Sequence, residues 1–348
     1  MPGKTKLFSS LVMVTLLLSL WFGVATGTAS AHTATSHPTI VSSGQIANAT
    51  AKQHSYWTKA KMMSARPADS LAASAKVTPK VPAPSSSSGI GRPVAPKAAK
   101  QAAKQVSPFA SSNAAIIPAA FQLPNFDYSS YPYSTIGKVF FTDPQTGINY
   151  VCSGASVNSA NLNVVDTAGH CIVGGGSGGD WYTNWVFCPQ YYYGSTPFGC
   201  WSARYMVTSS DWLNSGSLED DFGDVAVWPN SYGNLVDVVG GAGWAYGQAA
   251  NQYFYPFGYP AGSPFDGNSI YYCNGTGTSF GFDDGSVVSV SCDMTGGSSG
   301  GPWLISLNGS FGYINGHNDF KYTNDNSHMY SPYYDSDWYN VFNTAQNA

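Results

Sequence analysis

Short runs of residues that favour β-strands recur between positions 136 and 314, and they constrain the fold more than any other feature of the sequence. Each run is rich in β-branched and aromatic residues, and Gly, Asn, Asp or Ser residues typical of turns separate the runs. The first series covers 136–141, 148–152, 163–166, 185–188, 204–207 and 225–228, and the second covers 252–255, 270–273, 287–291, 303–306 and 310–314. Two consecutive series of about six strands predict an all-β chain of two packed antiparallel six-stranded β-barrels.

A short helix is expected at the C-terminal end of the chain, over residues 335–344. Asp335 or Ser336 can cap its first turn, because both side chains accept hydrogen bonds from free backbone N–H groups. An apolar face follows at helical spacing, formed by Trp338, Val341 and Phe342. Between residues 121 and 332 no segment shows a convincing helical period, and before them a short basic helix is expected within 51–65.

Residues 1–31 have the pattern of a signal peptide that is removed on export. Lys4 and Lys6 give a positive start, residues 7–24 are largely apolar, and 29–31 read Ala-Ser-Ala, a site that signal peptidase accepts. The alternative is an uncleaved membrane anchor, because the apolar stretch is near the shortest length that spans a bilayer. The cleavage site favours export, so we expect a secreted, extracellular protein.

The charge of the chain is divided between two regions. Residues 32–120 contain ten basic residues and one acidic residue, a formal net charge of +9, whereas residues 121–348 contain three basic and 18 acidic residues, a formal net charge of −15. Pro, Ala, Ser and Lys dominate from about 76 to 108. We therefore expect 32–120 to be a largely disordered pro-region or linker, and 121–348 to be the double-barrel domain. The negative charge of that domain argues against a nucleic-acid partner.

Six cysteines all lie in the predicted domain, and an even number in an exported protein indicates disulfides. Fifteen pairings are possible. The most local set pairs Cys152 with Cys171, Cys188 with Cys200, and Cys273 with Cys292. No Cys-x-x-Cys or His-x-x-x-His spacing indicates zinc, so no metal is expected.

A glycine-rich turn, Gly-Gly-Ser-Ser-Gly-Gly-Pro at 296–302, is the strongest candidate for a catalytic element. A serine in such a turn has an exposed hydroxyl, and the backbone N–H groups can face a developing oxyanion. Ser299 is the candidate nucleophile, and the N–H groups of Gly297 and Ser299 are the candidate oxyanion hole. The plain alternative is a flexible glycine-serine loop.

A serine hydroxyl needs a base that takes its proton and a carboxylate that orients the base. His170 is the candidate base, within Thr-Ala-Gly-His-Cys at 167–171. Asp224 is the candidate carboxylate, because a buried carboxylate in the apolar run 224–227 requires a hydrogen-bond donor such as a histidine N–H. Three nearby acidic residues compete with it but are interpreted as a solvated loop: Glu219, Asp220 and Asp221.

In the stretches 167–171, 224–227 and 296–302, the chain resembles the trypsin/chymotrypsin superfamily of serine peptidases. It is more similar to the bacterial V8-like, or glutamyl endopeptidase-like, branch through Pro-Tyr-Ser-Thr-Ile-Gly-Lys at 132–138, Gly-Tyr-Pro at 258–260 and Thr-Gly-Gly at 295–297. The resemblance implies a double β-barrel in which the first barrel supplies His170 and Asp224 and the second supplies Ser299. The active site would lie in the cleft between the barrels.

Two departures from the superfamily affect activation and specificity. In the animal digestive enzymes an aspartate precedes the nucleophile and pairs with the new N-terminal amine, whereas here the residue is the uncharged Ser298. We therefore hypothesise that 32–120 is a pro-region that acts in cis by shielding the acidic domain or assisting its folding. A plain leader or a wall-attachment tail is the alternative.

The residues expected in the substrate pocket are compatible with three specificities. Asp293 lies six residues before Ser299, where trypsin-like enzymes hold the aspartate that binds Lys or Arg, although the adjacent Cys292 departs from that pattern. V8-like enzymes select Glu with the help of a histidine, and here Asn315 and His317 lie in the corresponding segment. Basic, acidic, and apolar or broad preferences all stay possible.

The expected function is that of a secreted serine endopeptidase, active as a monomer on polypeptides through an acyl-enzyme intermediate, without a cofactor and without a membrane after signal cleavage. One alternative is a catalytically silent protease-fold binding module, because a fold does not determine a function. Another is a carbohydrate-binding protein, because 15% of the residues are aromatic. Large aromatic residues also fill small barrels, which is the plainer interpretation of that composition.

Overall fold

The computed structural model describes residues 38–47, 55–69, 87–97, 120–177, 179–280, 287–309, 311–323 and 325–348. The predicted signal peptide lies outside the described residues and stays a prediction. The strands are β1 (Ile40–Ser42), β2 (Arg66–Pro67), β3 (Gly89–Gly91), β4 (Phe121–Gln122), β5 (Ile136–Thr142), β6 (Asn149–Val157), β7 (Val164–Ala168), β8 (Thr183–Pro189), β9 (Trp201–Ser209), β10 (Phe222–Val227), β11 (Gly243–Tyr246), β12 (Tyr253–Gly258), β13 (Tyr271–Tyr272), β14 (Gly275–Thr276), β15 (Thr278–Phe280), β16 (Val287–Ser291), β17 (Pro302–Ile305), β18 (Tyr313–His317) and β19 (His328–Pro332). The α-helices are α1 (Lys59–Ser64), α2 (Ser210–Ser215), α3 (Leu235–Val239) and α4 (Ser336–Gln346).

The first half of the domain is a closed barrel of six antiparallel strands. Its strands pair in the order β8-β5-β6-β7-β10-β9, and β9 pairs with β8 again to close the barrel. Val139, Val165 and Val225 are fully buried in the same hydrophobic cluster, so strands β5, β7 and β10 each contribute a branched side chain to the interior. Closure leaves no free edge among these six strands.

The second half contains two further sheets. One has the order β3-β11-β18-β17-β12-β13-β4, with β14 paired to β12, and the other has the order β15-β16-β19. Most of the pairs are antiparallel, and β11 runs parallel to β18. The predicted all-β, chymotrypsin-like double-barrel architecture is confirmed.

Parts of the region 32–120 are more ordered than the sequence predicts. β1 pairs with β9, β2 pairs with β6, and β3 pairs with β11, so three stretches before residue 121 extend the sheets of the domain. The buried side chains of Trp57 and Met62 explain part of this order, because they cover apolar surface of the first barrel. The expectation of disorder is therefore corrected for 38–47, 55–69 and 87–97.

The predicted C-terminal helix is confirmed as α4. Asp335 caps it by accepting hydrogen bonds from the backbone N–H groups of Asp337 and Trp338, which would otherwise lack partners. The three apolar residues predicted for its inner face are fully buried: Trp338, Val341 and Phe342. Helix α1 lies within 51–65, where a short helix is expected. Helices α2 and α3 have only six and five residues, too few for a helical period to be visible in the sequence.

The three disulfides are those of the most local pairing, Cys152–Cys171, Cys188–Cys200 and Cys273–Cys292. The first one joins β6 to the short 3-10 turn Gly169–Cys171 that follows β7. Among the described residues, no helix has the length and apolar character needed to cross a bilayer.

Candidate active site

The glycine turn places Ser299 against the first barrel. Gly297 and Gly300 have φ values of +89° and +75°, a backbone conformation that glycine adopts at little cost. The carbonyl of Ser299 accepts a hydrogen bond of 2.7 Å from the N–H of Ser153 in β6. A Cβ atom on Gly300 would collide with the side chain of Thr167, so the turn fits closely beside the end of β7.

His170 lies on the 3-10 turn Gly169–Cys171, directly after β7, and its side chain is buried. Sγ of the next residue, Cys171, is 3.7 Å from the carbonyl oxygen of Ser299, so the histidine turn and the serine turn are neighbours. Within the described part of the chain, His170 Nε2 is buried and has no hydrogen-bond partner. No other described group therefore competes for this nitrogen at the site.

Asp221, immediately before β10, holds His170 in position. Its Oδ2 is 2.7 Å from His170 Nδ1, and its Oδ1 accepts a 2.7 Å hydrogen bond from the backbone N–H of the same histidine. The N–H of Gly169 also donates to the Asp221 carbonyl. The predicted orienting carboxylate, Asp224, is thus corrected to Asp221. The acidic stretch 219–221 is buried, and its interpretation as a solvated loop was wrong.

The register of the barrel explains why Asp224 does not reach the histidine. Phe222 lies opposite Ala168, so the residue before β10 is next to the turn that carries His170. Asp224 instead lies opposite Asp166, deeper in the barrel.

Asp224 and Asp166 form a buried acidic pair. The Asp166 carboxylate accepts hydrogen bonds from the Tyr334 hydroxyl and the Trp338 indole N–H, whereas the Asp224 carboxyl has no hydrogen-bond partner among the described residues. Burial raises the pKa of Asp166 to about 7. Burial first, and then the negative charge of Asp166, raises the pKa of Asp224 well above its ordinary value.

A second carboxylate, Asp319, lies on the same face of His170, with its Oδ1 3.4 Å from Nδ1. Asp221 has the shorter contact with Nδ1, and Asp319 adds a longer one. Burial disfavours the charged imidazole, but the attraction of Asp221 and Asp319 outweighs it and raises the pKa of His170 to about 10. The same burial raises the pKa of Asp319 well above its ordinary value, and the nearby Asp221 adds to that rise.

A cavity of about 410 Å³ opens beside Ser299. Its wall combines apolar side chains with one cation and two carboxylates. It is formed by Asp69, Leu218, Met294, Thr295, Gly296, Ser298, Ser299, Asp319, Phe320, Lys321, Tyr322, Thr323, Asn326 and Met329. The Lys321 ammonium donates a hydrogen bond to the carbonyl of Asn326. Burial lowers the pKa of Lys321 to about 8, so its amine is still mostly charged at pH 7.

The three residues predicted for the substrate pocket do not line this cavity. Asp293 accepts a hydrogen bond from the N–H of Ala120, and the Asn315 side chain donates to the carbonyl of Ala245. His317 is fully buried, with Nδ1 2.8 Å from the Tyr334 hydroxyl, and burial lowers its pKa to about 3. Each of the three is thus occupied by an internal contact.

Two further residues of the glycine turn, Ser298 and Gly297, make hydrogen bonds at the site. The Ser298 hydroxyl donates to the carbonyl of Thr295, so this side chain is satisfied within the turn. The Gly297 N–H, one of the two candidate oxyanion donors, donates to Oδ1 of Asp69 at 3.2 Å. A carboxylate from the N-terminal region therefore contacts the candidate oxyanion hole.

Two groups of potential metal ligands occur among the described residues, and both include His170. In the first, Cys152 and Cys171 form a disulfide and have no thiolate to offer. In the second, Asp221 already binds His170 through both of its carboxylate oxygens. A metal in that group would displace the contacts that orient the histidine.

Sequence reasoning missed four residues of the site: Asp69, Asp221, Asp319 and Lys321. For Asp221 a signal was present, because it directly precedes the strand that begins at Phe222 and so lies at the barrel rim. Asp69 carried a weaker signal as the one acidic residue before position 121. No local pattern distinguishes Asp319 or Lys321, because both depend on how the segment after β18 folds over the serine turn.

Solved protease structures resemble the chain closely. The protease Anisep from Arthrobacter nicotinovorans is 39% identical, with a TM-score of 0.58, and the match covers 62% of this chain and 96% of Anisep. The thermostable serine protease AL20 from an extremophilic microorganism is 37% identical, with a TM-score of 0.58, and the match covers 65% of this chain and 100% of AL20. A Glu endopeptidase at 17% identity shares the fold, with a TM-score of 0.51 over 67% of this chain and 100% of that one.

No protein-family model matches the chain, and neither does any curated protein sequence. The relationship therefore depends on the solved structures. Anisep and AL20 are matched over nearly their whole length at more than a third sequence identity. The chain accordingly belongs to the chymotrypsin-like serine proteases.

Proposed function

We propose that the protein is an exported serine endopeptidase that uses Ser299 as nucleophile, His170 as general base and Asp221 as orienting carboxylate. The observation that carries the proposal is the double contact of Asp221 with His170, on a turn that adjoins the serine turn. A buried imidazole held on its Nδ1 side presents Nε2 to the nucleophile. The three disulfides and the predicted signal peptide support export.

The reaction follows from these positions. Ser299 Oγ attacks the carbonyl carbon of the scissile peptide bond while its proton moves to His170 Nε2, and the resulting imidazolium is stabilised by Asp221. The N–H groups of Gly297 and Ser299 stabilise the negative oxygen of the tetrahedral intermediate. His170 then gives the proton to the leaving amine, which leaves an acyl-enzyme. A water molecule, activated by the same histidine, releases the acid.

Digestion of an unfolded protein substrate tests this function. The exported protein, purified from medium, is incubated with the substrate, and the products are sequenced by mass spectrometry. Internal fragments that disappear in Ser299→Ala and persist in Ser298→Ala support the endopeptidase. Intact substrate at every enzyme concentration would instead favour the silent binding module, and stepwise trimming from one end would contradict the endopeptidase class.

Lys321 supports a preference for acidic residues before the scissile bond. It is the cation in the cavity beside Ser299, and a carboxylate there would gain a charge-assisted hydrogen bond. We expect Lys321→Met to lower kcat/KM for a Glu substrate by about tenfold and to leave that for the matched Leu substrate nearly unchanged. Equal losses for Glu, Gln and Leu substrates would contradict this role.

Asp319 contributes, after Asp221, to the lower pH limit of activity in this proposal. His170 must be neutral to accept a proton, so kcat/KM rises with pH through the pKa of this histidine. The ionisable groups that act on it are Asp221, Asp319, Asp69 and His317, and His317 is neutral because burial lowers its pKa to about 3. Removing the Asp319 charge makes the imidazolium less stable, so Asp319→Asn moves the acidic limb of the pH profile to lower pH. A limb that stays in place or moves to higher pH would contradict the assignment.

The remaining partners follow from the charge and the fold. Polypeptides are the proposed substrates, and the net charge of −15 on residues 121–348 disfavours phosphate-rich partners. The region 32–120 is proposed to act in cis on the domain that follows it. Gel filtration of the exported protein checks the proposed monomeric state.

A further inference from the structure

The segment 55–69 is anchored on the first barrel by aromatic side chains. The ring of Trp57 is buried, its centroid lies 5.3 Å from that of Phe140, and its indole N–H donates to the carbonyl of Asn184. The Tyr56 hydroxyl donates to the side chain of Asn149 at the start of β6. These contacts join the segment to strands β5, β6 and β8.

From this anchor the segment runs along β6 toward the serine turn. β2 pairs with β6 in parallel, with Pro67 opposite Val151, and the N–H of the buried Ala68 donates to the Val151 carbonyl at 3.2 Å. Two residues further along β6, Ser153 binds the carbonyl of Ser299. The segment therefore follows the strand that leads directly to the nucleophile.

The last residue of the segment, Asp69, reaches the active site. Its Oδ1 accepts the hydrogen bond from the Gly297 N–H, and it lines the cavity beside Ser299. A Cβ atom on Gly296 would collide with the Asp69 carboxylate, so the carboxylate lies directly on the glycine turn. The residue as a whole remains exposed at the rim, while its carboxyl group reaches into the turn.

The contact between the Asp69 carboxylate and the Gly297 N–H is suited to an inhibitor and not to a substrate. An oxyanion hole binds a negative oxygen, and a carboxylate supplies one without any reaction. Burial raises the pKa of Asp69, and the nearby charge of His170 and the Gly297 N–H oppose that rise because they stabilise the anion. The bound group carries no amide leaving group, so attack by Ser299 on its carbon would lead to no product.

We propose that residues 55–69 are an internal inhibitor in which the Asp69 carboxylate occupies the oxyanion position and excludes the substrate carbonyl. This inference rests on the proposed role of Ser299 and goes beyond the opposite charges of the two regions, because it assigns inhibition to a single side chain. The enzyme becomes active when this segment leaves the turn.

The test measures the rate at which a fluorophosphonate probe labels Ser299 in the wild type and in each variant. The full-length chain is used before any N-terminal processing, as verified by intact mass. Asp69→Ala is expected to label about ten- to a hundredfold faster than the wild type, the range expected for losing one hydrogen bond to a charged group. Trp57→Ala, which loosens the anchor, is also expected to label faster. Arg66→Gln is the matched control, because it removes an exposed charge from the same segment without altering the site. Thermal unfolding of each variant confirms that it is folded.

The outcomes separate this inference from the proposed function. If Ser299 is labelled but Asp69→Ala reacts no faster than the wild type and Arg66→Gln, the inhibitory role is overturned and the protease function stands. If no variant is labelled at all, Trp57→Ala included, the proposed serine chemistry fails and the inhibitor proposal fails with it. Should Asp69→Ala unfold, Asp69→Asn replaces it, with a smaller acceleration expected because the amide oxygen still accepts the hydrogen bond.

Discussion

Replacing Asp221 by Asn lowers kcat by about four orders of magnitude, while replacing Asp224 by Asn leaves it within about threefold. The large loss is expected because a neutral amide at position 221 would no longer stabilise the imidazolium or hold His170 in the tautomer that presents a free Nε2. Asp224 does not contact the histidine and lies opposite Asp166 instead. Steady-state kinetics on one peptide substrate, with both variants purified in parallel, measures the difference.

Stability provides the control for this pair of variants. The pKa of Asp224 is raised in the folded protein, so the folded state binds this proton more tightly than the unfolded chain does. Rising pH therefore costs stability at this residue, and a neutral Asn removes that cost. Asp224→Asn should not lower the free energy of unfolding at pH 7. Equal losses of kcat in the two variants would contradict the assignment of Asp221.

Replacing Ser299 by Ala is expected to lower kcat by about a millionfold, the largest effect of any single change considered. The acyl-enzyme cannot form without the hydroxyl, and His170 then has no proton to accept from a nucleophile. Residual hydrolysis by water, assisted by the oxyanion donors, should remain above the uncatalysed rate. The activity is measured with a sensitive quenched peptide.

Ser298→Ala is the matched control, because this hydroxyl donates only to the carbonyl of Thr295 within the turn. It should keep kcat within about tenfold of the wild type, since one neutral hydrogen bond is lost. A Ser299→Ala protein that retained a burst of product equal to the enzyme concentration would exclude Ser299 as the nucleophile.

Local sequence patterns were sufficient for much of the fold. Runs of β-branched and aromatic residues between turn residues located the barrel strands, and three closely spaced cysteine pairs anticipated the disulfides. Asp335 and the spacing of Trp338 and Val341 predicted α4, because caps and helix faces are local properties. Positions 167–171 and 296–302 marked the histidine and serine turns for the same reason.

The identity of the orienting carboxylate was not a local property. Asp224 lies within an apolar run and looked like the buried acid, whereas Asp221 belongs to an acidic stretch that looked solvated. Only the register of β10 against β7 shows that Phe222 lies opposite Ala168, which brings Asp221 to the turn of His170. Strand register depends on the whole barrel, so sequence alone could not choose between the two residues.

The cavity beside Ser299, and the position of the Asp69 carboxylate in it, depend on contacts between distant parts of the chain. Asp69 and Gly297 are 228 positions apart, and no periodicity connects them. Asp293 has the sequence position of a specificity residue, but its carboxylate is used by the N–H of Ala120, from a segment that looked like linker. The overall composition of 32–120 therefore gave no indication of the short stretches in it that pair with the domain.

Locating the fluorophosphonate adduct by peptide mass spectrometry identifies the nucleophile and shows which residues activate it. A single adduct is expected, on Ser299, with a labelling rate that falls steeply in His170→Ala and Asp221→Asn and is unchanged in Asp224→Asn. An adduct on another serine, or an Asp224→Asn protein that labels as slowly as Asp221→Asn, would contradict a site composed of Ser299, His170 and Asp221.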